Sequence, residues 1–308
     1  MTDIALILCM TLGGLSMSLL HRADALTLAL LSGITLVVML FYTLILKKQS
    51  PFKKKFSVLK YPLAVCSVIA AAVSAANATA LVTRTTVLDK SFVPLAMTLT
   101  LAFALVISLS KQYALPRTAL VTVSVSAVVL VILIFLCVTE TELSAIELGR
   151  LKTNFLLPLV AFSVCDTVFV LPLMTRTPKF RLLLGSAVAL TYFLLTTLIA
   201  LSALSNGLFF EFEMPIMKLW QSAYIPSFLS RFETVAVCVF FILSAFKSGL
   251  LLNYAISAFG KSCFYMIALL FAALSVAIFV WPILVYFAAI LTVLCAFAAP
   301  FMPLDKNY

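Results

Sequence analysis

The chain has 308 residues, 64% of them hydrophobic and only 10% charged, with a mean hydropathy of +1.22. That apolar content exceeds what the core of a soluble globule can bury, so a water-soluble fold is excluded and an integral membrane protein is predicted. The net charge of +10 is concentrated beside apolar segments, which favours anionic lipid headgroups over nucleic acid as its counterpart.

A crossing of a hydrocarbon layer about 30 Å thick takes about 20 residues of helix, and helix is the default because lipid cannot satisfy backbone polar groups. The alternation of a β-barrel is absent. Ten spans are predicted: Ile4 to Leu20, Ala25 to Leu46, Tyr61 to Val82, Phe92 to Leu109, Arg117 to Val138, Phe155 to Met174, Leu182 to Leu204, Phe228 to Ile256, Ser262 to Val280 and Pro282 to Pro300. The last two are divided at Trp281-Pro282, since together they would be twice the membrane thickness. The first has only Asp3 ahead of it and no small-residue cleavage site before His21-Arg22, so it reads as a span of the mature protein.

Basic residues order the topology. Lys47, Lys48, Lys53, Lys54, Lys55 and Lys60, between spans two and three, place that link in the cytoplasm by the positive-inside rule. By alternation Lys111, Arg117, Arg176, Lys179, Arg181, Lys261 and Lys306 fall on the same side, and Asp24, Asp89, Glu140, Glu142, Glu147, Glu211 and Glu213 on the other. Both termini are then cytoplasmic. Ten spans with both ends inside suggest a single membrane domain over 1–308 built as five plus five, with repeats at about 1–138 and 153–301 in opposite orientation. The long links between spans two and three and between spans seven and eight occupy equivalent positions. In the second of these, Phe212 to Tyr224, with Trp220, is expected to lie as an interfacial helix over the outer mouth.

An inverted repeat is expected to interrupt its first and sixth spans. Span one contains Thr11, Gly13, Gly14 and Ser16, and each glycine costs roughly 1 kcal/mol against alanine in a helix, which permits unwinding; glycines also serve close helix packing. Span six contains Pro158 and Pro172 around Ser163, Cys165, Asp166 and Thr167. Unwound ends would offer N–H groups near Gly13 to Ser16 to a carboxylate, and carbonyls and hydroxyls at Ser163 to Thr167 to an ammonium. A zwitterion such as an amino acid fits that layout.

Asp166 and Lys247 are ionisable residues stranded in spans, where each costs at least about 2.5–3.5 kcal/mol and is normally kept for function. Asp166 is a ligand-binding or proton-carrying candidate. Lys247, in a span that packs against span one, is a candidate stand-in for a bound cation, or a coupling residue. Arg231 and Glu233, near the start of the same span, are candidates for an outer gate; Lys247 lies roughly 21 Å further along the helix axis. The seven cysteines lie in or at the edge of spans with no CxxC pair, and read as packing residues. No enzyme constellation, metal-ligand set or cofactor motif is present, and His21 is a lone loop histidine.

The string Ile225-Pro226-Ser227-Phe228-Leu229-Ser230-Arg231-Phe232-Glu233, with Phe246-Lys247-Ser248, resembles the span-eight pattern of spore germination receptor B-subunits, members of the amino acid/polyamine/organocation transporter superfamily. Arg22-Ala23-Asp24-Ala25 is similar to that family's outer turn after span one, and Tyr113 to Arg117 to its start of span five. Phe162-Ser163-Val164-Cys165-Asp166 sits where the family has a Phe-Pro-Phe-Gly-Glu type segment, with Ser163 and Cys165 replacing proline and glycine and Asp166 the longer acid. The resemblance implies a nutrient-binding sensor subunit, often for an amino acid, acting with an A-subunit membrane protein and a C-subunit lipoprotein in the spore inner membrane. Two readings stand beside it: a proton-coupled amino acid permease, and a structural membrane partner without a ligand.

Overall fold

The computed structural model describes residues 2–20, most of 27–40, and 60–85, 92–111, 113–138, 153–173, 179–203, 215–222 and 232–298. Among these residues the regular structure is all helical. In chain order the elements are α1 (Thr2–Leu20), α2 (residues 29–35), α3 (Lys60–Thr85), α4 (Val93–Ser108), α5 (Leu115–Val138) and α6 (Thr153–Ser163). A 3-10 segment (Cys165–Leu173) follows, then α7 (Lys179–Ala203), α8 (Pro215–Ser222), α9 (Phe232–Phe259), α10 (Phe264–Val280) and α11 (Leu284–Ala298).

Five stretches, in α3, α5, α7, α9 and α10 with the turn before it, are long and apolar enough to cross a membrane. Shorter apolar helices run Thr2–Met17, Val93–Ser108, Leu156–Val170 and Leu284–Phe297. Most of the predicted second span and the charged links lie outside the described residues, as do Asp24, the Lys47 to Lys55 cluster, Arg176 and Lys306.

Burial orders the bundle. The apolar windows of α3 and α9 are 78% buried against 22% for those of α5 and α10, so the first two form the centre and the others a more exposed periphery. The sequence of α3 explains its place: Ala70, Ala71, Ala72, Ala75, Ala76 and Ala78 are buried, and small side chains let helix backbones approach closely where no hydrophobic effect drives association. α9 packs along α3, α4 and α1, and α1 also touches α5, α6 and α7.

Turns follow local chemistry. Gly260, at φ 92°, ends α9 in a region that side chains rarely adopt, and a short 3-10 turn (Lys261–Cys263) leads into α10. The apolar run after it is divided where expected: α10 ends at Val280 and α11 begins at Leu284. Pro282 lacks an N–H and keeps the residue before it out of the helical region, and Trp281 has ψ 83°.

One expectation fails. Span one is not interrupted; α1 is continuous from Thr2 to Leu20, straight through Gly13-Gly14. The glycines are there for contact. A Cβ on Gly14 would lie 1.8 Å from the Phe162 carbonyl oxygen and 2.7 Å from Ser163 Cα, and one on Gly13 would lie 2.9 Å from the Leu243 oxygen. α1 passes that closely between α6 and α9 only because both positions lack a side chain. Span six does break: α6 ends at Ser163, Val164 is in a turn, and the chain continues as 3-10 helix.

Candidate functional site

The break in span six exposes the last carbonyls of α6, which a continuous helix would have used. Pro158 inside α6 already removes one ladder donor. Beyond the break the Val164 carbonyl accepts from the Thr167 N–H at 3.2 Å and from its hydroxyl at 2.5 Å, which holds the turn. The Phe162 carbonyl is instead taken by a side chain from another helix: Lys247 Nζ of α9 donates to it. An ammonium at the C-terminal end of a helix also meets the negative end of its dipole.

The same ammonium lies 2.6 Å from Asp166 Oδ2, and both side chains are fully buried. The contact is an ion pair by distance without the alignment of a good hydrogen bond. The two charges singled out in the sequence are therefore each other's partner. Such a pair offsets much of the desolvation of its members, which separately would be prohibitive at this depth.

Not every polar atom here is used. Asp166 Oδ1 and Ser163 Oγ are buried with no hydrogen-bond partner among the described residues. Leaving a buried polar group unpaired costs about 1–3 kcal/mol, and each of these oxygens is free to accept a hydrogen bond. Cys165, buried beside them, adds a small apolar wall.

The α1 residues do not supply the expected anion pole. Within a continuous helix the N–H groups around Gly13 to Ser16 are inside the ladder, and the hydroxyls are engaged. Thr11 donates to the Ile7 carbonyl at 2.8 Å, and Ser16 donates to Gly13 O at 2.6 Å. Ser16 is the hub of a polar contact that the sequence reading missed: Ser244 Oγ of α9 lies 2.8 Å from it, and Asn77 Nδ2 of α3 donates to it at 2.7 Å. An asparagine within the alanine-rich third span was the available signal. This hub ties α1, α3 and α9 together one helical turn from Lys247, and such interhelical bonds contribute about 0.6 kcal/mol each in membranes.

Lys247 reaches the broken end of α6 and not α1, although its Cβ is beside Gly13. The helix of Lys247 does pack against α1, and its ammonium is directed to α6. Arg231 and the side chain of Glu233 lie outside the described residues. Further along the bundle, α8 contacts α7, α9, α1 and α5, and its Trp220 is buried and stacked on Phe240 at 5.8 Å, with Phe193 edge-on to Phe240 at 5.6 Å. Phe240 is two helical turns before Lys247 on the same face of α9.

Chemically, the arrangement can hold an ammonium or other donor against Asp166 Oδ1 and Ser163, hold an anion against Lys247, or pass a proton between the paired groups. Among the described residues no group of three or more His, Cys, Asp or Glu side chains gathers to hold a metal ion. Comparison of the chain with models of known protein families gives no match, and neither does comparison with curated proteins.

Proposed function

We propose that the chain is an integral membrane protein on a five-plus-five transporter scaffold that binds a small zwitterion, an amino acid, between Asp166 and Lys247. The ligand's ammonium takes the carboxylate and Ser163, and its carboxylate takes the lysine. The observation that carries this reading is the ion pair at the broken end of α6 with two unpartnered buried oxygens beside it. A zwitterion supplies both charges, so neither member of the pair is left bare when the pair opens. The continuous α1 favours this arrangement over one in which backbone N–H groups receive the carboxylate.

The resemblance of span eight to spore germination B-subunits supports a sensor in place of a pump. In that reading binding shifts the protein between two conformations, and A- and C-subunit partners in the spore inner membrane read the shift, with both termini in the cytoplasm. A proton-coupled amino acid permease is the second reading, favoured by the contact between one acid and one base that can exchange a proton. Radiolabelled amino acids offered to proteoliposomes separate the two. Saturable binding without accumulation is the expected result; accumulation driven by a proton gradient identifies the permease, and absence of both binding and uptake overturns the ligand site.

A further inference from the structure

Read from the sequence, the cysteines are separate packing residues, but the fold brings two of them together. Cys66 in α3 and Cys295 in α11, 229 positions apart, have their sulfurs 3.0 Å from each other, and both are free thiols. A disulfide bond is about 2.05 Å long, so closure needs a shift of only about 1 Å between two neighbouring side chains. The other buried cysteines are placed differently: Cys9 faces the Ala119 carbonyl at 3.8 Å, and Cys165 is enclosed at the break after α6.

The pair also lies close to helix ends. Cys66 lies about 9 Å along the axis from Lys60 at the start of α3, and Cys295 is in the last turn of α11, so both are near an end of the bundle. Cys66 is buried and Cys295 only half-buried, which gives a small reagent access to Cys295 first. α11 packs on α3 and also on α6 and the 3-10 segment. A bond at this point would tie the helix flanking the broken span to one of the two central helices.

We propose that Cys66 and Cys295 are a dithiol modification site that closes to an interhelix disulfide and fixes α11 against α3. The Cys295 thiolate attacks a low-molecular-weight disulfide, forming a mixed disulfide and releasing one thiol. The Cys66 thiolate then attacks the Cys295 sulfur and releases the second. Each cysteine sulfur loses one electron, the reagent disulfide gains both, and the two protons leave on its thiols. In a reducing compartment the pair rests as thiols and closes when the surrounding thiol pool is oxidised. The site stands whatever Asp166 and Lys247 bind.

The test treats the purified full chain in liposomes with glutathione disulfide, then counts thiols by maleimide labelling after denaturation and identifies linked peptides by mass spectrometry. Wild type is expected to yield a peptide joining Cys66 to Cys295, with neither thiol left free or carrying glutathione, and to unfold at a higher temperature, all reversed by dithiothreitol. Cys66→Ser is expected to stop at one glutathione adduct on Cys295, with no linked peptide. Wild type that keeps its thiols, stops at the glutathione adduct, or joins other cysteines as readily overturns the site. A Cys66–Cys295 link that leaves the unfolding temperature unchanged overturns the restraint. The wild-type readouts decide the matter even where a variant fails to fold.

Discussion

Single atoms decide what can change at the centre of this bundle. A Cβ on Gly14 meets backbone 1.8 Å away, which has no rotamer to escape into, whereas the nearest atom at Gly13 is 2.9 Å away. Overpacking costs about 1–3 kcal/mol, so Gly14→Ala is expected at or above the top of that range and Gly13→Ala near the bottom; equal drops in unfolding temperature in detergent would contradict the packing. The ion pair gives a second prediction. Removing one partner of a buried pair costs about 3–5 kcal/mol because it strands the other charge, while removing both is often close to neutral. Lys247→Met and Asp166→Asn are each expected to destabilise, and the double variant to recover most of the loss. A small deficit should remain, because the Phe162 carbonyl loses its donor as well. Losses that simply add in the double-mutant cycle would show that the two side chains are not coupled.

At the scale of helices, ends need partners. The end of α4 is held by Asn253 of α9, whose Nδ2 donates to the Ser108 carbonyl at 2.8 Å and to Ser110 O at 3.1 Å. Asn253→Ala should therefore loosen that end, seen as faster amide hydrogen exchange over Leu109 to Leu115 with α11 unaffected; unchanged exchange there would assign Asn253 no capping role. Sequence reading does well with features written locally. The division at Trp281-Pro282 is set by proline geometry, and the break in span six by prolines and a cluster of polar residues. It does less well where a neighbour decides. Gly13-Gly14 is compatible with unwinding and with close approach, and only the Phe162 and Leu243 carbonyls select the second. Asp166 and Lys247 are conspicuous as lone charges within their spans, yet they stand 81 positions apart and nothing local pairs them. The Asn77–Ser16–Ser244 hub shares that obstacle, since small polar residues in spans are common and their partners are tertiary.

The whole molecule has a central pair, α3 and α9, inside a periphery that includes α5 and α10, and its two tryptophans report on this division. Trp281 is 62% exposed, whereas Trp220 is 1% exposed and stacked on Phe240. In liposomes containing brominated lipid, fluorescence of Trp220→Phe protein, which keeps Trp281, is expected to be strongly quenched, and that of Trp281→Phe protein only weakly. The reverse pattern would place α8 against lipid and refute the burial of Trp220 against Phe240. The same architecture puts the unpartnered oxygens of Ser163 and Asp166 in the interior, where the Asp166–Lys247 pair is completely buried. That a ligand's charges take over from this pair is tested most directly by equilibrium binding of a panel of radiolabelled amino acids to purified wild-type protein and to the D166N/K247M double variant, at matched folded fractions. Saturable binding of at least one amino acid by wild type, lost in the double variant although its unfolding temperature falls only slightly, is the predicted result; unchanged affinity in the double variant would contradict the account.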